Sequence, residues 1–263
     1  MIYYVVEFEA LHCEAEVYVN GVPVVRAYSQ QTYHGRPVNH LLIPGTNSLA
    51  LAACLGPGPS TAWTPREPYT ITVPRTRTYA KLWRIAPGGF PRDPGSELVC
   101  ELEWSPELGA TVTPVLTRIV TFDLSATLPA PQWSQCEELP EDFAAQATAL
   151  LRGLHGSLAA HDPEPFIRLS QPRFEDCARA FEIDLLEDQV GFRQQFAEFP
   201  DAVFEPFDEA TLDFRRVAGD RLVDCQDRSW RSPLRTKPDA KGAIALSYRV
   251  QLGRLNGGWR IVL

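Results

Sequence analysis

Several things are missing from this 263-residue chain. The first arginine or lysine is Arg26, so residues 1 to 11 lack the positive start of a secretory signal; Ile2-Tyr3-Tyr4-Val5-Val6-Glu7-Phe8-Glu9 alternates as a strand does. The longest apolar run, Leu49 to Leu55, falls far short of the ~20 residues that span a bilayer, so no membrane partner is expected. An excess of positive charge is missing too. Thirty-three acidic against twenty-five basic side chains give a net charge of -8, which argues against nucleic acid as a partner and leaves an acidic globule able to attract a basic protein.

Six cysteines (Cys13, Cys54, Cys100, Cys136, Cys177, Cys225) are spread evenly, with no C-x-x-C pair and no metal-ligand spacing. Reduced, buried thiols are expected, hence a cytoplasmic location, with Cys100 on the apolar parity of a strand and Cys177 on the apolar stripe of a helix. The chain has no G-x-x-x-x-G-K-[ST] loop, G-x-G-x-x-G, H-E-x-x-H or G-x-S-x-G. Neither a metal nor a cofactor is therefore expected. These absences exclude motif-bearing families only, because a site built from distant positions leaves no such trace.

What is present divides into two textures. Residues 1–127 read as short strands joined by Gly- and Pro-rich turns, the pattern of an all-β sandwich. Asn20-Gly21 supplies a tight hairpin turn, and Pro44-Gly45-Thr46-Asn47 separates Leu41-Leu42-Ile43 from Ser48-Leu49-Ala50-Leu51. Leu98, Cys100, Leu102 and Trp104 share one parity and Glu97, Glu101 and Glu103 the other, predicting one buried and one wet face. Further strands are expected at Tyr79 to Ile85 and Val115 to Leu124.

Leu128-Pro129-Ala130-Pro131 opens a linker taken as residues 128–137. Up to residue 131 there are nine basic and eleven acidic side chains; beyond it, sixteen and twenty-two. Residues 138–263 carry most of the acidity and begin helically. Phe143, Ala147, Leu150, Leu151, Leu154 and Leu158 follow Pro140 at helical spacing. A short helix with Phe166 and Leu169, one with Phe174, Cys177, Ala178 and Phe181, and one with Phe192, Phe196 and Phe199 come next. After Pro200 the period becomes 2: a long strand bears Ile244, Leu246, Tyr248, Val250 and Leu252 on one face, and Asn256-Gly257-Gly258 turns into Trp259 to Leu263. Weaker strands are expected near Val203 to Phe207, Ala210 to Val217 and Arg221 to Trp230. Helices followed by antiparallel strands make an α+β layout.

Residues 138–263 resemble the nuclear transport factor 2-like superfamily. The resemblance is carried by Leu158-Ala159-Ala160-His161-Asp162 closing the first helix, the turn from Pro163 to Pro172 leading to Phe174, and the terminal Gly257-Gly258-Trp259-Arg260-Ile261-Val262. It implies a cone of helices on a curved antiparallel sheet. The first half is similar to galactose-binding-like jelly rolls, through Val19-Asn20-Gly21-Val22 and Pro44-Gly45-Thr46-Asn47-Ser48-Leu49. Neither likeness confers an activity.

Cone members that move protons use an Asp or His in an apolar cavity beside a Tyr or another donor. Tyr248 sits on the apolar parity of its strand and is the cavity candidate, but Asp213 and Asp224 both face away from that parity. His155 and His161 lie off the helical stripe, in solvated or capping positions. In the first half Tyr33, His34, Arg36, Asn39 and His40 form the densest polar cluster, and Trp63 is placed to stack on a sugar or anchor a protein. These six are the binding candidates; no catalytic residue is assigned.

The expectation is a non-catalytic protein-binding chain, of the kind seen in bacterial toxin-neutralising (immunity) or secretion-accessory proteins, with a basic partner. Two alternatives stand beside it. One is an isomerase or dehydratase using the cone cavity on a small apolar ligand; the other is carbohydrate binding by the first half.

Overall fold

The computed structural model describes residues 2–27, 31–54, 68–113, 116–124 and 128–263, without the side chains of residues 31–34 and 54. The protein is mixed α+β. Among the described residues every sheet is antiparallel, and the four α-helices all lie in the C-terminal half. No described helix is long and apolar enough to cross a membrane. The chain divides into two compact units, Met1–Ala130 and Pro131–Leu263.

The first unit holds β1 (Tyr3–Leu11), β2 (Glu14–Val19), β3 (Val22–Ala27), β4 (Gln31–Pro37), β5 (Gly45–Cys54), β6 (Tyr69–Thr70), β7 (Arg77–Ile85), β8 (Glu97–Trp104), β9 (Thr111–Val112) and β10 (Leu116–Leu124). They form one sheet in the order β4-β1-β7-β8, a second in the order β10-β5-β2-β3, and a small β6-β9 pair. Strands of the two larger sheets lie against each other, β5 by β7 and β8, and β10 by β8. Val6, Phe8 and Ala10 of β1, with Ala80 and Leu82 of β7, are buried on one parity. A fully buried Phe is worth roughly 2–3 kcal/mol over an exposed one, so such positions fix the strand register.

Turn chemistry ties these strands together. Asn20 (φ 52°) and Gly21 (φ 75°) both take left-handed backbone, as the two-residue turn between β2 and β3 requires. The Asn20 amide donates to the Leu41 carbonyl (2.9 Å) and to Asn47 Oδ1 (2.7 Å), while its own oxygen accepts from the Ser48 amide (2.8 Å). Asn47 in turn closes the loop on Ile43, accepting from its N–H and donating to its carbonyl. The two turns that carried the jelly-roll likeness therefore lock onto one another.

Two expectations change here. Leu41-Leu42-Ile43 is not a strand: Asn39–Leu41 forms a 3-10 turn, held by the Asn39 side chain, and the strand begins at Gly45. The wet and dry faces of β8 also switch partway. Leu82 pairs with Cys100 but Trp83 with Leu98, so the skipped Val99 makes a bulge that turns Leu98 outward at 40% exposure, while Trp104 stays buried.

The second unit holds α1 (Phe143–Ala159), α2 (Glu164–Leu169), α3 (Gln171–Phe181), α4 (Leu185–Ala197) and the sheet β11 (Leu212–Val217), β12 (Leu222–Asp227), β13 (Val250–Leu255), β14 (Gly258–Ile261), paired in that order. α1 buries Ala147, Leu151, Leu154 and Leu158 at the expected spacing. Phe199 lies beyond the end of α4 and is exposed. Residues 131–137 are packed: a 3-10 turn at Gln132–Gln135 buries Trp133, and the Gln132 N–H donates to buried Asp176 of α3 (2.7 Å). Cys136 comes so close to Gly253 that a Cβ there would collide with its sulfur and with Leu222.

The expected strand from Ile244 to Leu252 is regular only from Val250. Upstream it makes isolated bridges, Ser247 to Arg235 and Ile244 to Pro238. Pro233 and Pro238 lack an N–H, so the facing segment cannot complete a ladder. Leu246, Tyr248, Val250 and Leu252 keep the buried parity, whereas Ile244 is exposed.

Candidate functional site

Tyr248 projects into the apolar interior of the second unit. Its ring lies 5.2 Å from Phe166 and 5.0 Å from Phe192, which stack on each other at 5.2 Å with an interplanar angle of 7°. Phe174 meets Phe192 edge-on, and Phe196 stacks on Phe204. Leu151, Leu154, Leu158, Val223, Val250 and Leu252 complete the cluster. Burial pushes the Tyr248 phenol up to about 12. Its hydroxyl and the Ser170 hydroxyl make no hydrogen bond among the described residues.

Among the described residues no base is hydrogen-bonded to that phenol. His155 Nε2 donates to the Glu205 carbonyl (2.7 Å) and its ring packs against Phe204 and Phe207, while His161 meets the edge of Phe196. Asp224 points to the opposite face of the sheet, as its parity implied. There it takes hydrogen bonds from Arg215 (2.6 Å), Gln251 (3.0 Å) and Arg249 (3.4 Å). Burial would raise its pKa, but Arg249 and Arg215 outweigh that and hold it below the usual carboxylate range. Asp213 is on the same side, accepting from Gln226 (3.2 Å).

A second ionic group closes one end of the sheet. Asp227 accepts from Arg231 and pairs with Arg235 (3.0 Å), which also reaches Glu205 (2.5 Å). A recess of about 20 Å³ lined by Glu205, Phe207, Asp208, Thr211, Asp227 and Arg235 lies here. That is space for one water-sized group, not for a substrate.

The first-unit candidates divide. Tyr33 and His34 fall on β4, where their side chains are outside the described residues, as is all of Trp63. Arg36 is exposed near the end of β4 and His40 is half-buried in the 3-10 turn. Asn39 is not available to a ligand: it is 3% exposed, its oxygen accepts from the Tyr4 N–H (2.7 Å) and its amide donates to the Ile2 carbonyl (2.8 Å). Among the described residues no group of His, Cys, Asp and Glu could hold a metal ion.

Sequence reasoning missed a buried carboxylate on β1. Glu7 is 1% exposed, accepts from Tyr79 OH (3.0 Å) and Trp83 Nε1 (2.8 Å), and pairs with Arg92 from the loop before β8. Burial and Glu7 raise the Tyr79 pKa to about 12. The register of β1 against β7 could have found Tyr79 and Trp83; nothing local announces Arg92.

It also missed an exposed apolar run around α4. Ile183, Leu186, Val190, Phe199 and Val203 are all exposed, Leu186 at 69%. The Phe192, Phe196 and Phe199 pattern drew the reading to the other face of this helix.

No family model, curated protein or solved structure matches this chain.

Proposed function

We propose that this protein works by binding a basic protein partner and performs no chemistry of its own. The observation that carries the reading is the filled interior of the second unit: Phe166, Phe192 and Tyr248 are in ring-to-ring contact where a reaction chamber would have to open. Every buried carboxylate described around the β11–β14 sheet is spent on an arginine of the same unit. The acidity of residues beyond 131 supplies attraction for a basic surface. Within this class, a bacterial immunity or secretion-accessory role in the cytoplasm fits a compact acidic chain. The two larger sheets of the first unit are those of a jelly-roll-like sandwich, and the second unit is a cone of helices on its sheet.

The test is affinity capture with the intact protein from its native cells, followed by a salt gradient. A stoichiometric basic protein released by salt supports the reading, and recovery of none overturns it. A second reading, a small apolar ligand held in the cone, is favoured by one observation, the orphaned Tyr248 and Ser170 hydroxyls. Extraction of the purified protein followed by mass spectrometry would reveal such a ligand.

A further inference from the structure

Resting on the reading that the partner is a basic protein, we infer that the outer face of α4 is the docking surface and that its occupant is a basic amphipathic helix of that partner. Leu186, Val190, Arg193 and Ala197 fall at intervals of four, three and four along α4, one stripe directed away from Phe192 and Phe196. Ile183 extends the stripe past the start of the helix. From Leu186 to Ala197 the stripe runs about 16 Å, three turns, which matches the contact length of a helix laid alongside.

Apart from Arg193, every charged residue from 182 to 201 is acidic. Glu182, Glu187, Glu198 and Asp201 are exposed and engage no cation of the described chain. Asp184 caps α4, accepting from the N–H groups of Leu186 (2.7 Å) and Glu187 (3.2 Å), and adds its charge beside Ile183. The one cation in the stripe, Arg193, is neutralised by a two-pronged contact with Glu164 (2.6 and 2.9 Å), leaving its aliphatic stem to continue the apolar surface. Apolar anchors in an acidic frame complement leucines flanked by lysine or arginine. A second copy of the chain is a poor occupant, since it would set this acidic frame against itself, and an anionic membrane surface is repelled for the same reason.

The probe is a fluorescent 18-residue peptide with Leu at positions i, i+3, i+4 and i+7 and Lys elsewhere. It is titrated into the full-length protein beside a scrambled isomer, with hydrogen exchange to locate it. The helical isomer is expected to bind about tenfold tighter than the scrambled one and to protect residues 182–198. L186Q/V190Q should weaken it about tenfold, and E182Q/E187Q about threefold with a shallower salt dependence. Both pairs are exposed, so circular dichroism should show the folded spectrum. Equal binding of the two isomers, or protection elsewhere, overturns the α4 surface alone and leaves a basic partner standing. Failure of both peptides to bind overturns the surface and counts against the basic-partner reading as well.

Discussion

The two faces of the β11–β14 sheet carry opposite chemistry. One face carries Val223, Cys225, Val250 and Leu252 against the phenylalanines of the helices, with a single phenol among them. The other carries Asp224, Gln226 and Gln251, with Arg215 and Arg249 reaching in. The difference follows from the period of two: successive side chains of β12 go to opposite faces, so Val223-Asp224-Cys225-Gln226 sorts apolar from polar residue by residue. Asp224 is thereby kept on the face remote from Tyr248. The sheet acts as a partition, and the partition is why the interior is a core.

Breaking the partition outright should have the largest effect. Val223→Asp places a carboxylate among aromatic rings with no partner and should cost about 5 kcal/mol or more, seen as loss of the cooperative urea transition. A variant that unfolds with wild-type stability would mean water already reaches that face. Next comes removal of the ionic hub. Asp224→Ala leaves Arg215 and Arg249 facing each other over a buried gap and should cost about 3–5 kcal/mol by urea denaturation.

Acid sharpens the same contrast. Asp224 is held below its ordinary value, so its stabilisation is complete above the unfolded-chain pKa near ~4 and is lost as pH falls through the lower folded value. Asp176, raised by burial despite the Gln132 N–H and Arg179, works in reverse: its ionised form disfavours the fold at neutral pH, and that deficit lifts on acidification. Asp224→Asn should therefore flatten the acid side of the stability profile, and Asp176→Asn should steepen it. Parallel profiles for wild type and Asp224→Asn would dissociate Asp224 from its arginines.

The smallest effect is expected on the apolar face itself. Tyr248→Phe deletes a hydroxyl with no hydrogen bond and should leave stability unchanged or raise it by up to about 1 kcal/mol. A clear loss of stability would show that the hydroxyl has a partner after all.

Local causes explain what the sequence revealed. Asn20-Gly21 and Asn256-Gly257 turn because those residues accept left-handed backbone, and both hairpins were legible from two letters. Helix α1 was legible because its apolar residues from Phe143 to Leu158 keep a 3.6 period over about four turns. What escaped depends on partners distant in the chain. Leu98 faces out because of a bulge visible only once β8 is paired with β7. The strand through Tyr248 is interrupted by prolines ten or more residues upstream. The orientation of Asp224 could be read from parity, but its arginines come from β11 and from the segment leading into β13. Glu7 needed Arg92, 85 residues away. Leu186 and Val190 were overlooked because a helix with phenylalanines on one face invites no search of the other.

The closed interior can be probed directly through the phenol. With tyrosine labelled at Cζ, NMR across about pH 5 to about pH 10 should show the Tyr248 resonance unmoved and without magnetisation transfer from water, as a group pushed up to about 12 by burial requires. A midpoint below about pH 9 accompanied by contact with water would reveal an open, hydrated chamber and contradict the account.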